Sequence, residues 1–191
     1  MTGDSDEALV RDYASGNERA FERLLDRYRD RVTQLVRGRL GSRSLWVDDV
    51  AQDVFVQLHR RARSFEGRSS FKTWLYAIAL NICRDHLRRE RTPASRQTIE
   101  ADNDGMLAAL PDESLDPLQL LERDERDALV RAAVEQLTST HRTVLQLRDH
   151  EDLSYEEIAK VLAVPVGTVR SRLHNARAAF AQALTESLRG N

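Results

Sequence analysis

Residues 154–177 read SYEEIAKVLAVPVGTVRSRLHNAR, and they constrain the fold more than any other stretch of the chain. Their pattern is two amphipathic helices joined by a tight turn. Ser154 is placed to cap the first helix, and Glu157 follows three residues later, as a reciprocal capping box requires. Ile158, Ala159 and Leu162 face inward, with Ala159 small where two helices must cross closely. Ala163-Val164-Pro165 form the turn, and Pro165 prevents the first helix from continuing. At roughly 100° per residue, Val169, Leu173, Ala176 and Phe180 project within about 60° of one another and form the buried stripe of the second helix.

The opposite face of that helix carries Gly167, Arg170, Ser171, His174 and Asn175, with Thr168 in its opening turn and Arg172 and Arg177 on its flanks. Flanking arginines suit phosphates. Arg and Asn are also the side chains that bond two atoms at once on guanine and adenine edges in a major groove. Cap, turn, small crossing residue and polar face therefore agree on a helix-turn-helix DNA reader. A hairpin with a merely solvated basic face would need only the last of these. Tyr155 reads as a packing residue rather than a stacking platform.

Upstream, the apolar residues again recur at helical spacing. A short helix covers about Asp4 to Tyr13, and Ser15-Gly16-Asn17 marks a turn in which Asn17 can cap the next helix. That helix spans about Glu18 to Leu40 with Phe21, Leu24, Leu25, Tyr28, Val32, Leu35 and Val36 inward, and Gly41 ends it. A third begins near Asp48 with Val50, Ala51, Val54 and Leu58 inward. A polar segment from Arg63 to Ser70 leads to a fourth, Phe71 to about Arg91, whose stripe is Phe71, Leu75, Ile78 and Ile82. Thr92-Pro93 breaks the pattern, and residues 93 to about 117 are rich in Ser, Pro, Asp and Gly without periodicity, which reads as a flexible linker. Periodicity returns from Leu118 through Leu121, Leu129, Val130, Ala133, Val134 and Leu137; Thr138 to Thr140 form a capped turn, and Val144, Leu145 and Leu147 belong to the next helix.

The 191 residues thus suit an all-α chain of two small helical domains, residues 1–92 and 122–191, joined by an acidic linker at 93–121. A net charge of −2 looks wrong for a DNA binder until it is resolved along the chain. Glu100 to Asp127 holds ten acidic residues against Arg123 and Arg126, whereas Arg84, Arg88, Arg89, Arg91 and Arg96 cluster within a short stretch. The local field, not the average, governs attraction to phosphate. No apolar run approaches the roughly 20 residues of a membrane span, the acidic N-terminus lacks a signal-peptide pattern, and lone Cys83 precludes an internal disulfide. A cytoplasmic protein without direct membrane insertion is expected. His59, His86, His141, His150 and His174 have no ligand spacing, and Asp48 and Asp49 diverge by about 100° on a helix, so no metal or other cofactor and no autonomous enzyme is expected.

The run DDVAQDVFVQLHRR at 48–61, followed by FEGRSSFKTWLYAIALNICRDHLRRER at 65–91, is a second signal. A helix starting FKTWLYAIALN after a short polar loop and ending in a basic cluster resembles the DNA-melting segment of bacterial sigma factors. With GTVRSRL near the other end, nearly the whole chain resembles an extracytoplasmic-function (ECF, group 4) sigma factor of the sigma-70 family. The resemblance implies a sigma-2-like bundle, a sigma-4-like helix-turn-helix domain, and transcription initiation as a dissociable subunit of core RNA polymerase. It assigns Asp49, Gln52, Asp53 and Gln57 to the β′ clamp helices, and the sigma-4 domain to the β flap. Arg63, Phe65, Lys72, Trp74, Tyr76, Asn81, Arg84 and Arg88 fall to −10 promoter recognition and melting. Thr168, Arg170, Ser171, Arg172, His174, Asn175 and Arg177 fall to the −35 element. It further implies an anti-sigma partner, often membrane-associated. The residue types suit these roles: a basic track attracts backbone, and an aromatic stack is worth roughly 1–3 kcal/mol per base, comparable with unstacking one. Trp74 sits at the edge of its apolar stripe and reads as core more than as a base contact. His174 and Asn175 stand where relatives often carry an aromatic or basic residue. The competing reading is a helix-turn-helix regulator that never docks on polymerase.

Overall fold

A computed structural model describes residues 5–42, 44–90 and 123–189, with backbone only at 123 and 124. The described residues hold eight α-helices and no strand. The first bundle comprises α1 (Asp6–Ala14), α2 (Glu18–Leu40), α3 (Val47–Arg61) and α4 (Phe71–Glu90). The second comprises α5 (Arg123–Gln136), α6 (Ser139–Leu145), α7 (Tyr155–Leu162) and α8 (Val166–Arg189). The stretch expected to be a linker lies outside the described residues, as do Leu118 and Leu121.

Helix α2 is the spine of the first bundle, packed by α1, α3 and α4. Leu24, Tyr28, Val32, Leu35 and Val36 are buried along it, while Phe21 and Leu25 are only half-buried at the rim. Gly41 closes it at φ +100°, a conformation that strains any residue with a Cβ. Asn17 occupies the cap position, but its side chain makes no capping bond; Ser5 does cap α1, accepting from the Ala8 amide. In α4, Phe71, Leu75 and Ile78 are buried as the stripe requires, and Ile82 is half-buried.

In the second bundle α8 is packed by α5, α6 and α7. Thr138 caps α6 through the His141 amide at 3.2 Å. Past Leu145 the chain widens into one π turn, Gln146–His150. That turn was not legible in the apolar spacing, because one inserted residue leaves Leu147 buried either way.

The bundles are not held apart. Helix α7 lies on α4 and α6 lies on α2, and one apolar core runs through both halves from Leu9 to Ala176. A Cβ on Gly38 of α2 would come within 2.7 Å of the Gln146 side-chain oxygen, so α2 and the π turn pack closely there.

Candidate nucleic-acid interface

The helix-turn-helix is built as its residues dictate. The Ser154 hydroxyl accepts from the Glu157 amide at 3.2 Å, and the Glu157 carboxylate accepts from the Ser154 amide at 3.0 Å, completing the capping box. Helix α7 ends at Leu162, three residues before Pro165. Ala163 adopts a left-handed conformation at φ 56°, the Val164 amide donates to the Ala159 carbonyl, and Ala163 to that of Lys160. This is a Schellman turn with alanine where glycine is usual. Pro165 instead opens α8, its carbonyl accepting from Thr168 and Val169. The sequence identified the stop but credited it to the wrong residue.

On α8, Val169, Leu173 and Ala176 are buried and Phe180 is half-buried. Arg170, His174 and Arg177 are exposed, and Arg177 pairs with Asp149 of the π turn at 3.2 Å. Thr168, Ser171 and Asn175 are half-buried, with the Ser171 hydroxyl donating to the Thr168 carbonyl. Arg172 does not share the outer face. It lines a cleft toward the first bundle with Arg39, Leu80 and Arg84. Tyr155 packs on the core with the Arg148 guanidinium 5.5 Å above its ring.

The residues expected along α4 divide between two faces. At 100° per residue Lys72 and Tyr76 lie about 40° apart, whereas Trp74, Asn81 and Arg88 cluster roughly 160° away, with Arg84 between. The second group is open. Asn81 and Arg88 are exposed; the Asn81 amide oxygen accepts from Arg84 at 2.8 Å, and Arg88 pairs with Asp85. Trp74 packs against Phe65 and Phe71, at 5.2 and 6.1 Å between centroids, forming an aromatic wall in which Phe71 is buried and Phe65 and Trp74 are half-exposed; Arg63, two residues before Phe65, is exposed. The first group is covered. Tyr76 is fully buried and donates its hydroxyl proton to Glu151 of the second bundle, and Lys72 donates to the Glu151 carbonyl at 2.8 Å. Burial first, and then the bond to Glu151, drive the Tyr76 phenol far above its ordinary range.

Asp49, Gln52 and Asp53 are exposed and Gln57 half-buried on the outer side of α3, where exposed Val56 interrupts the polar surface. Asp53, Val56 and Gln57 line one groove with Arg60, Arg61 and Asn81. Sequence reasoning had assigned Asp53 and Asn81 to separate tasks, and the α3–α4 crossing makes them neighbours. It had also missed Arg60 and Arg61, whose position in a basic helix end was a usable signal.

Cys83 is buried, and burial pushes its thiol up to about 12, as suits a packing residue.

Two family models match this chain: sigma-70 region 2 over residues 24–92, and sigma-70 region 4 over residues 118–180. The RNA polymerase sigma-H factor of Pseudomonas aeruginosa is 40% identical over 99% of this chain and 98% of its own. The ECF RNA polymerase sigma-E factor of Escherichia coli K12 is 38% identical over 92% of each. The chain belongs to the ECF sigma factors of the sigma-70 family. Among solved structures, CnrH in complex with the cytosolic domain of CnrY aligns at a TM-score of 0.63 and 30% identity, covering 96% of this chain and 99% of CnrH. The fold is shared also with the sigma factor RpoE of Bartonella quintana, solved with the anti-sigma factor NepR, at a TM-score of 0.62 and 23% identity over 86% of this chain and 96% of that one. In this sigma factor the helix-turn-helix is part of region 4, and both the α3–α4 groove and the Phe65–Trp74 cluster are part of region 2. No helix among the described residues is long and apolar enough to cross a membrane.

Proposed function

We propose that this sigma factor grips a promoter at two places while riding on core RNA polymerase, with the following division of labour. Asp49, Gln52, Asp53 and Gln57 dock on the β′ clamp helices, and the second bundle engages the β flap. The Phe65–Trp74 wall, with Arg63, Asn81, Arg84 and Arg88, receives the unstacking −10 strand, joined by Lys72 and Tyr76 once they are uncovered. Thr168, Arg170, Ser171, His174 and Asn175 read the −35 element, while Arg172 and Arg177 hold its phosphates. The first bundle spans residues 1–92 and the second 122–191.

The single observation that carries this reading is the co-occurrence, in one chain, of a region 4 reader and the α3–α4 groove matched by region 2. A plain operator-binding regulator has no use for that groove. Exposed Asn81 lies about two helical turns, roughly 10 Å, beyond Trp74 on the same face of α4, so that face offers a stacking ring and a hydrogen-bonding edge in succession to an unstacking strand. RpoE, which shares this fold, was solved with an anti-sigma factor, and we infer that an anti-sigma protein, which we place at the inner face of the membrane of a bacterial cytoplasm, controls this chain.

The test is transcription in vitro with sigma-free core enzyme on a genomic template library, followed by mapping of RNA start sites. Start sites sharing two upstream elements are expected, and no RNA would reject the proposal. Asn81→Ala should weaken use of the −10 element about tenfold, the value of one lost base contact of roughly 1–3 kcal/mol, and leave −35 preference unchanged. Equal loss at both elements would reject the division of labour.

A further inference from the structure

The most unusual polar group in the molecule is Glu151. It is 4% exposed, sits after the π turn of the second bundle, and meets the first bundle with both a carboxylate oxygen and its backbone carbonyl. Its carboxylate accepts from the Tyr76 hydroxyl and lies 3.5 Å from the Arg31 guanidinium and 4.0 Å from the Lys72 ammonium. Its carbonyl takes the second bond from Lys72, at 2.8 Å. Six residues on, Glu157 repeats the arrangement. While one oxygen caps α7, the other accepts from the Ser70 and Thr73 hydroxyls at 3.1 and 3.2 Å. Two carboxylates thus sit on a row of hydroxyl, ammonium and phenol donors at the start of α4, with the Arg31 guanidinium of α2 beside them. Donors of these types are the ones that hold phosphate oxygens.

Geometry gives the contact a consequence. A −10 and a −35 element lie about 25 base pairs apart, roughly 85 Å of duplex. In this structure Arg84 of α4 and Arg172 of α8 line one cleft. Bundles so placed do not reach both elements at once. Residues 91–122 connect them, with a contour of about 110 Å, ample for separation.

Resting on the promoter-binding role proposed above, we propose that Glu151 and Glu157 form an acidic latch that holds this sigma factor closed and inactive. The latch occupies donors of the −10 helix with the chain's own carboxylates and keeps Arg172 turned inward. Activation requires the bundles to part. Promoter phosphate and polymerase surfaces then replace the two glutamates, which become ordinary solvated side chains.

Closure is read with a Cys pair at Arg39→Cys and Ser139→Cys, whose native side chains meet at 3.0 Å across the bundles, and a reducible bismaleimide reagent. Cys83 stays in place because its thiol is buried and sits near 12. The full chain should crosslink within itself rapidly. Adding Glu151→Lys, which sets like charges against Lys72 and Arg31, should slow this at least about tenfold, since breaking a buried ion pair is strongly unfavourable. Glu151→Gln, which keeps an acceptor for Tyr76, should slow it less; circular dichroism checks that both variants remain helical. Equal crosslinking rates in all three would overturn the latch. With core enzyme, the crosslinked protein should lose initiation and regain it on reduction. Initiation undiminished by the crosslink would overturn the inhibitory role. A chain that initiates in neither state would strike the function proposed above, and the crosslinking comparison would still decide the latch.

Discussion

The bond between Tyr76 and Glu151 spans 75 positions and both bundles, so its worth measures how firmly they are joined. Tyr76→Phe removes one oxygen and nothing else. The ring stays buried and edge-on to Tyr28, at 6.3 Å between centroids, so no packing loss is expected. A hydrogen bond to a charged group contributes about 1.5–3 kcal/mol net. The carboxylate it leaves keeps Lys72 and Arg31 nearby, so Glu151 is not stranded. The lower half of that range, about 1.5–2 kcal/mol, is therefore expected. Glu151→Ala alone removes both the charge and the acceptor. The double mutant separates the pair from its surroundings: a coupling of about 1 kcal/mol or more should remain, as for residues in one hydrogen-bond network. Urea unfolding of the wild type, both single mutants and the double mutant supplies the four free energies. Coupling below about 0.3 kcal/mol would show that the phenol and the carboxylate do not hold each other in solution, and the joined arrangement of the bundles would fall with it.

Two further outcomes follow from local geometry. Ala163→Gly should stabilise the protein, because alanine at φ 56° bears a left-handed penalty of about 1–2 kcal/mol while glycine loses only about 0.5–1 kcal/mol more chain entropy. A rise in Tm of about 1–3 °C is expected, and a fall would refute the strain. The Glu157 carboxyl is held below its usual value of 4.5, chiefly by the Ser154 amide, with the Ser154, Ser70 and Thr73 bonds assisting against desolvation. Its contribution is therefore complete above about pH 4.5 and lost as pH falls through the lowered folded value. Wild type and Glu157→Gln should differ in stability at neutral pH and converge in acid; a difference that grows on acidification would refute the assignment.

How much of this was written in the sequence depends on the range of the interaction that decides each feature. The capping box of Ser154 and Glu157 was legible because both partners lie within one turn. So were the ends of α2 and the inward stripe of α8, since helical period and glycine punctuation act locally. The α4 residues were read as one track because motif order gives neighbours along a chain, whereas a 100° step sends Lys72 and Tyr76 to a different side from Asn81 and Arg88. Glu151 was invisible altogether. Nothing in LRDHEDLS marks one carboxylate among four acidic and basic neighbours as the buried one, since its partners are Arg31, Lys72 and Tyr76. The second duty of Glu157 was hidden for the same reason, and its capping role looked sufficient.

That asymmetry bears on function. Residues that read DNA must be exposed and must therefore look like ordinary polar surface, so they are found through their spacing on a well-formed helix. Beside the apolar core that runs through both halves, the two bundles are joined by polar residues buried against their own chain. A fully apolar seam between α4 and α7 would give tighter closure with no desolvation of charge. It would also leave a greasy face to be hidden again in the open form. Carboxylates set against hydroxyl, ammonium and phenol donors separate into water at little cost, and the donors freed are of the kind that phosphate satisfies. The choice of Glu151 over leucine at that seam therefore favours a contact made to be broken over one made only for stability.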